Sequence, residues 1–131
     1  MSIELITSAL LNVSGVTAIV GDRRALSQLP QGTSMPAVVY EGISTTPQLT
    51  MNAASGPQLL ISRVQITALA LNPGDVAAIL TAVMAALNLK SGTYAGKQVA
   101  SVIRDMKTSI TKDNDAGVWY GSQDFMVHWY E

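Results

Sequence analysis

Residues 58–87 read QLLISRVQITALALNPGDVAAILTAVMAAL, and the hydrophobic period changes halfway along. Up to Leu71 the pattern alternates, with Leu60, Val64, Ile66 and Ala68 on one face and Arg63, Gln65 and Thr67 on the other, which predicts a half-buried strand over 58–71. Asn72-Pro73-Gly74-Asp75 then punctuates the chain. Asn72 is a helix-capping residue, Pro73 suits the first helical position, and Asp75 complements the positive end of the helix dipole. Beyond it Val76, Ile79, Leu80, Val83, Met84 and Leu87 recur at spacings of three and four, a wide apolar stripe that ends at Lys90 and Gly92. A strand with one apolar face followed by a helix with one apolar stripe is the elementary unit of helix packed on sheet.

Working outward, Ile3, Ile6, Leu10 and Val13 predict a helix over residues 2–20, with Gly15 as the point where it breaks. Residues 22–35, with Leu29-Pro30-Gln31-Gly32, read as punctuation. Residues 37–43 read as a short strand, Val38, Tyr40 and Gly42 facing one way and Val39, Glu41 and Ile43 the other. Thr45 to Pro57 reads as a loop, long for a hairpin connection, and long loops are usually functional or mobile. Residues 98–111 alternate again, with Val102, Met106 and Ile110 against Ser101, Asp105, Lys107 and Ser109. Lys112 to Gly117 is a turn, and Val118 to Tyr130 is a last strand with Trp119, Phe125, Val127 and Trp129 on one side. The expected fold is α+β: one domain over 1–131, a largely antiparallel sheet of about four strands, and two helices packed on one face.

Composition narrows the function. The 131 residues contain no cysteine, which excludes disulfides, thiolate zinc sites and a thiol nucleophile. Eight Lys and Arg against nine Asp and Glu leave a formal charge of -1, a poor balance for neutralising many phosphates. Only 13% of residues are charged, about half of the usual ~25%, and polarity falls instead on 35 Ser, Thr, Asn and Gln. Uncharged polar surface is easier to desolvate than ionic surface, so self-association is a fair expectation. Neither the start of the chain nor its uncharged stretches read as a targeting or membrane-spanning segment, and no membrane partner is expected.

Candidates for chemistry are few. His128 is the single histidine, and a small hydrolase would need it, with Asp124 and with Ser122 or Ser101. No nucleophile-elbow motif accompanies it. Asp113, Asp115 and Asp124 imitate part of a calcium loop, but Val118 stands where that loop needs glycine and the flanks read as strands. No phosphate-cradling glycine loop is present, so neither metal nor cofactor is expected. Five of the seven aromatics lie between Trp119 and Tyr130. Trp119, Phe125 and Trp129 belong to a core face, whereas Tyr120 and Tyr130 fall opposite, where amphipathic rings suit an interface or stand as ordinary exposed tyrosines.

Taken in order, several segments resemble the phage tail-completion family, also called tail terminator or tail-to-head joining proteins. They are Ala18-Ile19-Val20-Gly21-Asp22-Arg23, Leu29-Pro30-Gln31-Gly32, Pro36-Ala37-Val38-Val39-Tyr40, Arg63-Val64-Gln65-Ile66, the helix after Asn72-Pro73-Gly74-Asp75, and Asp124-Phe125-Met126-Val127. The resemblance covers nearly the whole chain and rests on order and spacing. One departure is Arg24-Ala25-Leu26-Ser27, which stands where relatives often carry an aromatic-proline strand and leaves an edge strand there without its usual residues.

That resemblance implies a non-enzymatic virion protein, assembled in the host cytoplasm and sited at the head-proximal end of the tail. It implies a homo-oligomeric ring, a hexamer, that caps the tail tube, ends its growth and offers a docking surface to the head connector, with DNA only passing through. A neck or stopper protein on the head side is the alternative within the structural class. The loop at Thr45–Pro57, through Gln48, Leu49 and Met51, is the expected contact with a sibling subunit or the tube, and Tyr120 and Tyr130 are further interface candidates. Asp113 and Asp115 are candidates for facing a channel along which DNA slides without sticking.

Overall fold

The computed structural model describes residues 3–30, 32, 34–48 and 58–131. Three helices and seven strands follow in the order α1 (Ile3–Leu11), α2 (Ser14–Val20), β1 (Arg24–Leu26), β2 (Ala37–Pro47), β3 (Leu59–Ala70), α3 (Pro73–Leu87), β4 (Gly92–Tyr94), β5 (Lys97–Lys107), β6 (Thr111–Asp113) and β7 (Val118–Tyr130). They form one sheet in the order β1-β2-β3-β7-β5-β4, with β6 also pairing β7. Among the described residues the only parallel pair is β1 with β2. Fold class and antiparallel character are as expected, whereas four strands become seven and two helices become three.

Most of the extra elements have a local cause. The N-terminal helix breaks at Asn12–Val13, not at Gly15, because Val13 is extended (φ -129°, ψ 155°) and leads directly into α2. Gly15 lies inside the first turn of α2, where no neighbour crowds it. The edge strand does form: Arg24–Leu26 pairs with Val38–Tyr40, closed by Val38 N–H on the Arg23 carbonyl (3.0 Å) and Ser27 N–H on the Tyr40 carbonyl (2.8 Å). Backbone pairing is indifferent to the missing aromatic and proline. The β4–β5 hairpin turns on Ala95-Gly96, both at positive φ (53° and 77°), between the paired Tyr94 and Lys97, the two-residue geometry that matches strand twist. The first three residues of the expected loop at 45–57 belong instead to β2, which runs to Pro47 with Thr45 Oγ1 2.7 Å from Ser62 Oγ.

One face of the sheet carries the core. Strand β3 alternates strictly between half-buried and buried, and Val64, Ile66 and Ala68 are at most 1% exposed. Through the register Val64↔Phe125 and Leu60↔Trp129 this face continues onto β7, and Val99 and Val102 extend it onto β5. The alternation expected over 98–111 fails there, since β-bulges between Val99 and Ser101 and between Arg104 and Met106 each reset the phase. Met106 therefore leaves the Val102 face and is 48% exposed.

Helix α3 seals this core with Val76, Ile79, Leu80, Val83 and Leu87, all at most 1% exposed. Asn72 caps it as expected: its Oδ1 accepts the Asp75 N–H at 2.9 Å. The close approach of α3 depends on Gly121, where a Cβ would lie 3.2 Å from Leu80 Cδ1 and 3.4 Å from Val76 Cγ1. At the C-terminal end of α3, Leu89 N–H reaches the Val102 carbonyl (2.7 Å) and Asn88 Oδ1 accepts the Arg104 N–H (3.0 Å), so the helix exit covers part of the outer edge of β5. No single helix among the described residues is long and apolar enough to cross a membrane.

Candidate functional site

The three helices among the described residues all pack into the core, so no described helix covers the opposite sheet face. Register places on it Leu59, Ile61, Arg63, Gln65 and Thr67 of β3 beside Tyr130, His128, Met126, Asp124 and Ser122 of β7. Ser101, Ile103 and Met106 of β5 and Glu41 of β2 extend the rows. The surface mixes exposed apolar side chains, Ile103 and Met106 at 48% and Tyr120 at 40%, with one ionic cluster.

That cluster centres on Arg63. Its Nη2 lies 2.8 Å from Asp105 Oδ2 and its Nη1 3.0 Å from Asp124 Oδ2. Pairing with Asp105, and next with Asp124, raises the Arg63 guanidinium above its ordinary value. One cation therefore serves two carboxylates. The Asp124 side chain is 8% exposed, and its Oδ1 is buried with no hydrogen-bond partner. Beside it, Thr108 stitches β5 to β7: its N–H donates to the Ser122 carbonyl (2.9 Å), and its Oγ1 accepts the Ser122 N–H (3.0 Å). This contact helps to bury the strand on its second face too, so residues 121–125 form a continuous buried run. Sequence alternation does not register such a cluster. Its one signal is that Arg63 and Asp124 are each the single Asp, Glu, Lys or Arg of a long strand, placed near its middle.

The expected site residues separate into two groups. Gln48 is exposed just past β2, and its N–H donates to the Leu59 carbonyl (2.8 Å). Leu59 in turn pairs with Tyr130, which is half-buried, so Gln48 and Tyr130 share one end of the sheet. Leu49 and Met51 lie outside the described residues. Tyr120, Asp113 and Asp115 sit at the other end, where β6 pairs with β7 through Thr111↔Tyr120 and Asp113↔Val118. Ten residues of strand separate Tyr120 from Tyr130, roughly 33 Å at the usual rise. Asp113 and Asp115 are exposed, and Asp113 Oδ1 accepts the N–H of Asp115 (3.1 Å) and of Ala116 (3.3 Å), which makes Asp113 a turn-former as well as a surface charge.

The hydrolase arrangement does not assemble. Ser101 Oγ is 3.3 Å from His128 Nδ1, but the Asp124 carboxylate is engaged with Arg63. Asp124 is also four strand residues from His128, roughly 13 Å along β7. Among the described residues no carboxylate hydrogen-bonds His128, and no group of three His, Cys, Asp or Glu is placed to hold a metal ion.

The family model described as tail completion protein gp17 matches residues 4–130. Among solved structures, a chain from the virion of a native gene transfer agent particle superposes with a TM-score of 0.76 at 10% identity, covering 98% of this chain and 97% of that one. At that identity the likeness concerns the fold. No curated protein matches the chain.

Proposed function

The chain belongs to the tail completion protein gp17 family of structural virion proteins, and on that premise we propose that it assembles into a ring, a hexamer, that caps the finished tail tube at the head-proximal end and presents a docking surface to the head connector. The observation that carries this reading is the separation of the candidate contacts between the two ends of β7. Gln48 and Tyr130 stand at one end, and Tyr120, Asp113 and Asp115 at the other. A ring built from such subunits has two unlike faces, so it meets the tube with one and the connector with the other. Growth stops because the second face does not repeat the first.

Within this reading Gln48, Leu49, Met51 and Tyr130 contact a sibling subunit or the tube, with Tyr120 on the opposite ring face. Asp113 and Asp115 line the channel, where carboxylates keep passing DNA from sticking. The subunit assembles in the host cytoplasm and performs no catalysis. Light scattering with and without tail tubes tests the proposal. Six copies of 13.8 kDa, about 83 kDa, are expected in the presence of tubes. Particle images that place the chain in the neck, on the head side of the connector, would overturn it.

A further inference from the structure

The charges of this molecule are segregated. Five of its eight cations, Lys90, Lys97, Arg104, Lys107 and Lys112, fall between residues 90 and 112. By register Arg104, Lys107 and Lys112 accompany Phe125, Gln123 and Trp119, so they stand on the helix-bearing side, along the β5–β6 rim. Lys112 Nζ lies 6.0 Å from the centre of the Trp119 ring, and Arg104 Nη1 lies 3.3 Å from Gln123 Oε1. None of these three makes an ion pair among the described residues.

The bare face has the opposite surplus. Glu41 pairs in register with Gln65, Gln65 with Asp124, and Asp124 with Met106, so one row across four strands carries two carboxylates. Asp105 adds a third, and Arg63 is the one cation among them.

We propose that the helix-free face of one copy packs against the β5–β6 rim of the next, so that Arg104, Lys107 and Lys112 of that neighbour answer the exposed Glu41 and Asp105. The inference rests on the ring reading above and names the contact between its subunits. Face and rim are different surfaces of one molecule, so the contact is head-to-tail, the type that closes into rings. Exposed Ile103 and Met106 supply apolar area beside the charges, and a desolvated surround strengthens ion pairs relative to water.

Charge exchange between two variants tests this. The rim variant carries Arg104→Glu, Lys107→Glu and Lys112→Glu; the face variant carries Glu41→Lys and Asp105→Lys. Each alone, folded by circular dichroism, is expected to stay at the 13.8 kDa monomer mass with tail tubes under conditions where the wild type forms rings. Mixed one to one, the two variants are expected to recover the ring, because the face of each now matches the rim of the other and a six-membered ring accommodates strict alternation. Should the rim variant lose its native dichroism, Lys107→Glu alone against Glu41→Lys gives the same readout. Wild-type rings that tolerate either variant, or folded variants that fail to recover on mixing, overturn the inference and leave the ring reading standing. A wild type that stays monomeric on tubes overturns both.

Discussion

Gln123 Nε2 donates to the carbonyl of Leu80 at 2.8 Å, a hydrogen bond from the centre of the sheet to the middle of α3 with Gln123 only 1% exposed. The bond fixes where α3 sits along β7. Gln123→Met keeps the volume and loses this bond together with the acceptor for Arg104 Nη1 (3.3 Å), while the Leu80 carbonyl retains its place in the helix ladder. We expect a loss of about 1 kcal/mol. Gln123→Ala opens a cavity as well and is expected to cost about 2–4 kcal/mol. Urea denaturation of the two variants separates hydrogen bond from packing.

Gly121 meets the same helix from below. Any side chain there pushes on Leu80, Val76 and Ile110, whose nearest atoms would lie 3.2–3.4 Å from the first added carbon. Gly121→Val is expected to destabilise by about 1–3 kcal/mol through overpacking. A thermal midpoint unchanged from the wild type would show that α3 moves away freely.

The cap of α3 is exposed and separable from the core. Asn72→Ala removes the acceptor for the Asp75 N–H and is expected to cost about 1 kcal/mol. Asn72→Ser is expected to retain most of it, whereas Asn72→Asp would set a second carboxylate against Asp75, whose Oδ2 now accepts from Asn72 Nδ2 at 2.9 Å; chemical denaturation reads the difference directly.

Arg63 holds two carboxylates, one of them buried. Arg63→Met is expected to lower the urea midpoint, and Asp124→Asn in that background to restore part of it, because the uncompensated buried charge is then gone. The pH behaviour follows from the raised value of the guanidinium: a cation held above its ordinary value contributes fully below that value and is lost only as pH rises through the raised one. The difference between wild type and Arg63→Met is therefore expected to show no loss of the arginine's contribution from about pH 7 to about pH 10. A contribution that declined across that window would mean a different group titrates.

His128→Asn separates the structural reading from the hydrolase. The variant is expected to assemble with tubes and to complete particles as the wild type does. Deleting residues 48–55 is expected to leave a folded subunit that assembles poorly, and normal infectious particles from that deletion would count against the loop as a contact.

The alternation in 58–71, the capped helix after Asn72 and the aromatic face of the last strand were legible because period and capping are local properties of a chain. They determined an α+β fold with one apolar sheet face, and the order of segments carried the family resemblance. Low charge and the absence of cysteine likewise followed from composition alone. Only the tertiary structure decided the rest. The strand at Arg24–Leu26 exists through backbone bonds to a partner fourteen residues away, and the phase of β5 is reset by bulges that no pattern of side chains announces. The Arg63 cluster joins residues 42 and 61 positions apart in the chain. Such contacts depend on which strands become neighbours, a long-range choice that local periodicity does not encode.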